Sequence, residues 1–167
     1  MGRFALSTKN ADKSFFHNVF LNLATNSYLG DPYGLDAYAY ARVSSDTQAE
    51  EGRSGLPRQI EKIHLAARRE NLRISWNSFY FDDESGFVLE RPALQALIAE
   101  LRNGAAARYL VIEHLDRLSR NADWHQGYLL DVITKECGVA VVFHDEIHSR
   151  IERVVKGAVS QDGMERS

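Results

Sequence analysis

Strand-like runs that alternate with helix-like runs predict an α/β fold, with a mostly parallel central sheet, helices on both faces and an N-terminal helical arm in front. Three observations carry that prediction. Tyr109-Leu110-Val111-Ile112 is a continuous apolar run, as a central parallel strand covered on both faces requires. Leu56, Ile60, Ile63 and Ala67, and again Leu94, Leu97, Ile98 and Leu101, recur at the spacing of one helix face. The length of 167 residues suits one domain with a sizeable core.

In chain order, residues 1–35 stand outside the strand–helix rhythm. Phe15, Phe16, Val19, Phe20, Leu23 and Ala24 stripe one face there, which predicts a single amphipathic helix packed on the domain or on a partner. Gly30-Asp31-Pro32-Tyr33-Gly34 is a turn signal that marks the boundary, so the core domain is placed at residues 36–150. Alternation from Leu35 to Val43 predicts the opening strand. Gly52 to Gly55 read as a flexible connection to a helix that runs to Asn71, with Pro57 in its tolerant first turn. Trp76 to Asp82 predict a largely aromatic second strand, and Asp82-Asp83-Glu84-Ser85-Gly86 the loop after it. Pro92 opens a helix that Asn103-Gly104 closes. Beyond Tyr109–Ile112 and a polar run come a helix from about Asn121 to Glu136, a last strand at Val139–Phe143, and the start of a further helix at residues 151–167.

Lys and Arg number 20 against 23 Asp and Glu, and the net charge of -3 excludes a global electrostatic attraction to nucleic acid. An anion site must therefore be local. The single cysteine, Cys137, excludes an intramolecular disulfide framework and reads as a small buried hydrophobe. No apolar run has the length of a membrane span, and the start lacks the order of a secretory signal, so a cytoplasmic protein with no membrane contact is expected. There is no glycine-rich phosphate fingerprint and no metal-ligand set, so no cofactor is expected. His144 and His148 are four apart but follow a strand, which suits a polar loop better than a metal pair. Trp76 and Trp124 read as core or interface aromatics, and His114 as a packed strand-end residue.

Parallel strands would bring Ser44, the segment Asp82–Ser85 and the segment His114–Arg120 to one edge of the sheet. Arg42 and Ser44 are two apart on a strand, so a guanidinium leaves on the same face as a hydroxyl. Arg117 and Arg120 are three apart at a helix entry, with Asp116 beside them. Three arginines around one serine suit a phosphate, since guanidinium groups grip its oxygens in pairs and stabilise the added charge of a five-coordinate transition state. Ser44 is then a candidate nucleophile for phosphoryl transfer, through a phosphoserine ester that a second alcohol can reverse. Its general base is open: the arginines lowering the hydroxyl's pKa and assistance from the phosphate itself both fit. Asp116 either orients Arg117 or Arg120, or acts as the leaving-group acid.

The runs YARVSSDTQ at Tyr40–Gln48, SGLPRQ at Ser54–Gln59, FDDESG at Phe81–Gly86 and YLVIEHLDRLSRN at Tyr109–Asn121 together resemble the catalytic domain of serine recombinases, the resolvase and invertase superfamily. The resemblance spans about Asp36 to Ile147 in unbroken order. It implies that Ser44, the first of the serine pair, attacks a DNA phosphodiester to give a 5′-phosphoserine link and a free 3′-hydroxyl, without ATP or a required metal. By the same resemblance Arg42, Arg117 and Arg120 bind phosphate, Asp116 is the motif acid, and Gln48, Gln59, Ser85 and Arg91 are supporting residues. The spacer between Ser44 and Ser54 is longer than in small resolvases and resembles that of large serine recombinases or integrases. The family continues with a long dimer helix, which residues 151–167 would begin, and with DNA-binding domains. A catalytic fragment is therefore expected, inactive and weak on DNA by itself, from a parent that acts as dimer and tetramer. The alternatives are a serine transposase catalytic domain and an inactive remnant that acts only through protein–protein contacts.

Overall fold

The computed structural model describes residues 10–43, 55–83, 91–104, 106–114 and 129–144. Helix α1 (Asn10–Leu23) leads through Asn26 and Ser27, both at positive φ, into the short strand β1 (Tyr28–Gly30). A turn then reaches β2 (Leu35–Asp36) and β3 (Tyr38–Val43). Helix α2 (Gly55–Arg69) ends at Asn71, which takes a left-handed φ of 56° and turns the chain into β4 (Leu72–Ser75). One 3-10 turn, Trp76–Ser78, joins β4 to β5 (Phe79–Asp83). Helix α3 (Pro92–Arg102), β6 (Tyr109–Ile112), a π-helical turn at Val132–Glu136 and β7 (Ala140–Phe143) complete the order.

The central sheet runs β5-β3-β6-β7 with every pairing parallel, as the alternation of strands and helices predicts. Side chains of a strand alternate between faces, and here both faces are apolar. Ala39, Ala41, Phe79, Phe81, Val111 and Val142 turn to the side of α1 and α2, where they meet Phe16, Phe20, Ile60 and Ile63. Tyr38, Tyr40, Tyr80, Leu110, Ile112, Val141 and Phe143 turn to the other, against Leu94, Leu97 and Leu101 of α3 and Ile133 of the π turn. The helices thus cover both faces. On the second face Glu100 of α3 accepts hydrogen bonds from the hydroxyls of Tyr38 (2.9 Å) and Tyr80 (3.1 Å), which gives each of these donors an acceptor beneath the sheet.

Three readings of the sequence are corrected. The run from Leu35 to Val43 is not one strand. Leu35 and Asp36 are exposed and pair with β4 in a second sheet of order β1-β4-β2, and only from Tyr38 does the chain enter the central sheet. The run from Trp76 to Asp82 is likewise divided, because the Trp76–Ser78 turn hands the chain from the second sheet to the first. Asp82 and Asp83 are strand residues, paired with Arg42 and Val43, where a loop was expected.

The expected helix among residues 1–35 is α1, but the segment also contributes β1, which pairs antiparallel with β4. Phe16 and Phe20 are buried, and full burial of each phenylalanine stabilises by about 1.5–3 kcal/mol. Trp76 packs on His17, Phe20 and Phe81, as a core aromatic. Arg73 in β4 holds the second sheet across its width. Its Nε donates to Asp36 of β2 (2.8 Å), and its guanidinium lies 4.6 Å from the centre of the Tyr28 ring of β1. His64 of α2 accepts the Gly30 N–H at Nδ1 (2.9 Å); burial, and after it Arg68, lower the imidazole's pKa and favour the neutral ring that can accept this bond. Among the described residues no helix is long and apolar enough to cross a membrane.

Candidate active site

Because the four central strands are parallel, their carboxyl ends lie along one edge, at Val43, Asp83, Ile112 and Phe143. Strand β3 outruns its neighbour on one side. Its pairing with β6 stops at Tyr40, opposite Ile112, while its pairing with β5 continues through Val43. Arg42 therefore has a backbone edge with no strand beside it. Gln59, from the first half of α2, fills that place: its Oε1 accepts the Arg42 N–H (3.2 Å) and its Nε2 donates to the Arg42 carbonyl (3.1 Å). An amide side chain here reproduces the donor and acceptor of a strand neighbour. Gln59 is 3% exposed and Arg42 7%, so neither backbone group has water as a substitute.

By strand parity Arg42 shares its face with Tyr38 and Tyr40, and Asp82 shares that face on β5 with Tyr80. Asp82 is 2% exposed, and three donors converge on it. The Tyr40 hydroxyl donates to Oδ2 (2.7 Å), the Leu94 N–H to the same oxygen (3.0 Å) and the Ala93 N–H to Oδ1 (2.9 Å). The last two are orphan donors of the first turn of α3. The N-cap position of that helix is Arg91, whose side chain makes no capping bond, so the cap comes from a neighbouring strand. A carboxylate at a helix N-terminus also faces the positive end of the helix dipole. Burial, and after it the Asp82 carboxylate, push the Tyr40 phenol well above its usual range, while the charges of Arg91 and Arg42 act the other way. Tyr40 thus stays a neutral donor.

Arg91 itself takes φ 49° and ψ 62°, a left-handed backbone that costs a non-glycine residue about 1–2 kcal/mol. Its half-buried position and its electrostatic effect on Tyr40 place it by the same cluster as Arg42 and Asp82.

Two further tethers hold the edge. Lys62 of α2 pairs with Glu113, the residue after β6 (3.3 Å). Arg69 donates to the carbonyls of Phe143 (2.7 Å) and His144 (3.3 Å), at the end of β7.

Of the site residues expected from the sequence, Arg42, Gln59 and Arg91 are described, and the first two are in direct contact. Ser44, Gln48, Ser85, Asp116, Arg117 and Arg120 lie outside the described residues, as do Trp124 and His148. Tyr40 and Asp82 were not singled out for a role. A signal for Asp82 was present: a helix opening Arg91-Pro92 has no serine, threonine, aspartate or asparagine of its own to cap it. No group of three or more His, Cys, Asp and Glu residues gathers as metal ligands among the described residues.

Residues 37–159 match the family model described as the N-terminal domain of resolvase. The solved C-terminal catalytic domain of ISC1926 TnpA, an IS607-like serine recombinase, is similar at 24% identity with a TM-score of 0.51, over 78% of this chain and 84% of that one. The N-terminal catalytic domain of TP901-1 integrase is similar at 23% identity with a TM-score of 0.49, over 79% of this chain and 98% of that one. No curated protein matches. The family model spans well over half of the chain, and the chain belongs to the resolvase family of serine recombinase catalytic domains.

Proposed function

We propose that the chain cleaves and rejoins DNA by transesterification, with Ser44 as the nucleophile. The observation that carries this reading is the clamped end of β3. Arg42 sits there, fixed through its own backbone by Gln59, at the edge where all four parallel strands end, and Ser44 follows it by two residues. A strand end held at both backbone groups can present a hydroxyl and a guanidinium to one phosphate with little freedom left to lose.

In the reaction the Ser44 Oγ bonds to phosphorus while the bond from phosphorus to the 3′ oxygen breaks. The proton leaves the serine, and the 3′ oxygen gains one. One phosphodiester becomes one 5′-phosphoserine diester and one free 3′-hydroxyl, so the bond energy is kept and no ATP is consumed. Attack by a 3′-hydroxyl on the phosphoserine reverses the step and joins strands, old or exchanged. Arg42, Arg117 and Arg120 hold the phosphate oxygens and stabilise the charge of the five-coordinate state. Asp116 orients those arginines or protonates the departing oxygen, and Gln48, Ser85 and Arg91 support the site. DNA is the partner, and self-association to dimer and tetramer brings two duplexes together for exchange.

The test is capture of covalent protein–DNA adducts under denaturing conditions from cells that express the protein from its natural reading frame, followed by nuclease digestion and mass spectrometry. A nucleotide on Ser44, absent from Ser44→Ala and unaffected by chelators, is the expected result. An adduct that survives Ser44→Ala, or that maps to another residue, overturns the assignment.

A further inference from the structure

Helix α2 carries a stripe of side chains that reach the strand ends in turn. Gln59, Lys62 and Arg69 follow one another at intervals of three and seven residues, which keeps them on one face. Gln59 holds the end of β3, Lys62 the residue after β6, and Arg69 the end of β7. The middle tether has a consequence for chemistry. Along β6, Val111 turns to the α2 side and Ile112 to the opposite side, so Glu113 turns back towards α2, where Lys62 meets it. Glu113 is three residues ahead of Asp116 and four ahead of Arg117.

We infer that Lys62, through Glu113, is a positioning residue that fixes the end of β6, from which the sequence runs on to Asp116, Arg117 and Arg120. The inference rests on the assignment of those residues to phosphate binding. One helix then holds two strand ends: Gln59 the end of β3, two residues before Ser44 in the sequence, and Lys62 the residue after β6, three before Asp116. The side chain of Lys62 is 36% exposed and that of Glu113 12%. A pair so placed adds little to stability, so its value lies in placement. Misplacement of catalytic groups by about 1 Å costs up to roughly a hundredfold in rate.

The experiment compares Lys62→Met, Glu113→Gln and the exchanged double variant Lys62→Glu/Glu113→Lys with the unaltered protein. Four readouts are taken: the rate of Ser44 adduct formation, DNA affinity, melting temperature, and amide hydrogen exchange at Glu113 and His114. Each single variant is expected to form adduct about twofold to fivefold more slowly, as the modest energy of such a pair allows. Its melting temperature and DNA affinity should stay near the unaltered values, and exchange at Glu113 and His114 should quicken. The exchanged pair should recover most of the rate and the protection, which a role in folding or in charge attraction to DNA would not produce. Full adduct rates in both single variants overturn the inference, as does an exchanged pair that stays as slow as the singles. Absence of a Ser44 adduct in the unaltered protein refutes the nucleophile assignment instead, so the two failures are distinct.

Discussion

Asp82→Asn keeps the shape of the side chain and removes its charge. Three donors meet the carboxylate, two at Oδ2 and one at Oδ1, whereas an asparagine offers a single acceptor oxygen and a nitrogen that donates. With the carbonyl in the Oδ2 place, its NH2 opposes the Ala93 N–H. With the carbonyl in the Oδ1 place, the NH2 opposes the Leu94 N–H, and only the Tyr40 hydroxyl can rotate and accept. Either way one buried backbone donor loses its acceptor, which costs about 1–3 kcal/mol. Loss of the negative charge at the start of α3 adds about 0.3–1 kcal/mol. The sum, roughly 1.5–4 kcal/mol, corresponds to a fall in melting temperature of roughly 3–16 °C for a chain of this size. Thermal and urea unfolding measure the total, and hydrogen exchange at Ala93 and Leu94 reports where it arises. Tyr40→Phe leaves both backbone bonds in place and should cost only about 1 kcal/mol. An Asp82→Asn protein within about 0.5 kcal/mol of the unaltered one, with Ala93 and Leu94 equally protected, would refute the capping role.

Gln59→Leu keeps the volume of the side chain and deserts both backbone groups of Arg42, so a loss of roughly 2–5 kcal/mol is expected in urea unfolding, together with slower Ser44 adduct formation. An unchanged midpoint would show that the clamp is dispensable. Because the folded pKa of Tyr40 is raised, its contribution to stability is complete below pH 10, the unfolded phenol value, and is lost as pH rises from there towards the folded value. Unfolding free energy should therefore decline above about pH 10, and the decline should be shallower in Tyr40→Phe; equal slopes in the two proteins would count against it. Gly30→Ala places a Cβ against the Leu72 carbonyl oxygen and 2.7 Å from the Ala67 Cβ, at φ 83°. More than about 2 kcal/mol should be lost, with faster exchange of the Gly30 amide that His64 accepts; an unchanged melting temperature would contradict this packing.

The parallel sheet was legible because its strands announce themselves by composition. Tyr109–Ile112 is apolar at every position and is covered on both faces, so burial and sequence agree. Helices α2 and α3 were legible by period, and α3 by its proline and by Asn103-Gly104 as well. The second sheet was not. Its strands have two to four residues, too short for alternation to register, and Leu72–Ser75 sits between a helix end and an aromatic run that draws the eye. What places Leu72 and Ile74 is tertiary: they pack into the cluster that Phe16, Phe20 and Leu29 help to form. The resemblance names Arg42 and Gln59, but their mutual contact, an amide on a strand edge, has no signal in spacing or periodicity. Asp82 has no local mark of its role, because the cap comes from a strand end 11 residues away from the amide it receives.

The uneven strand lengths bear on how such an edge is held. An extension of β6 by two residues would have satisfied the Arg42 N–H and carbonyl with main-chain bonds, at the price of a continuous backbone wall beside the residues that lead to Ser44. A glutamine amide offers the same donor and acceptor within the width of a single side chain. Asp82 does the equivalent at the other flank, where its carboxylate receives the Ala93 and Leu94 N–H groups of α3. Side chains take the place of main chain at both points, so that the end of β3 is held by an amide and the start of α3 by a carboxylate from the end of β5.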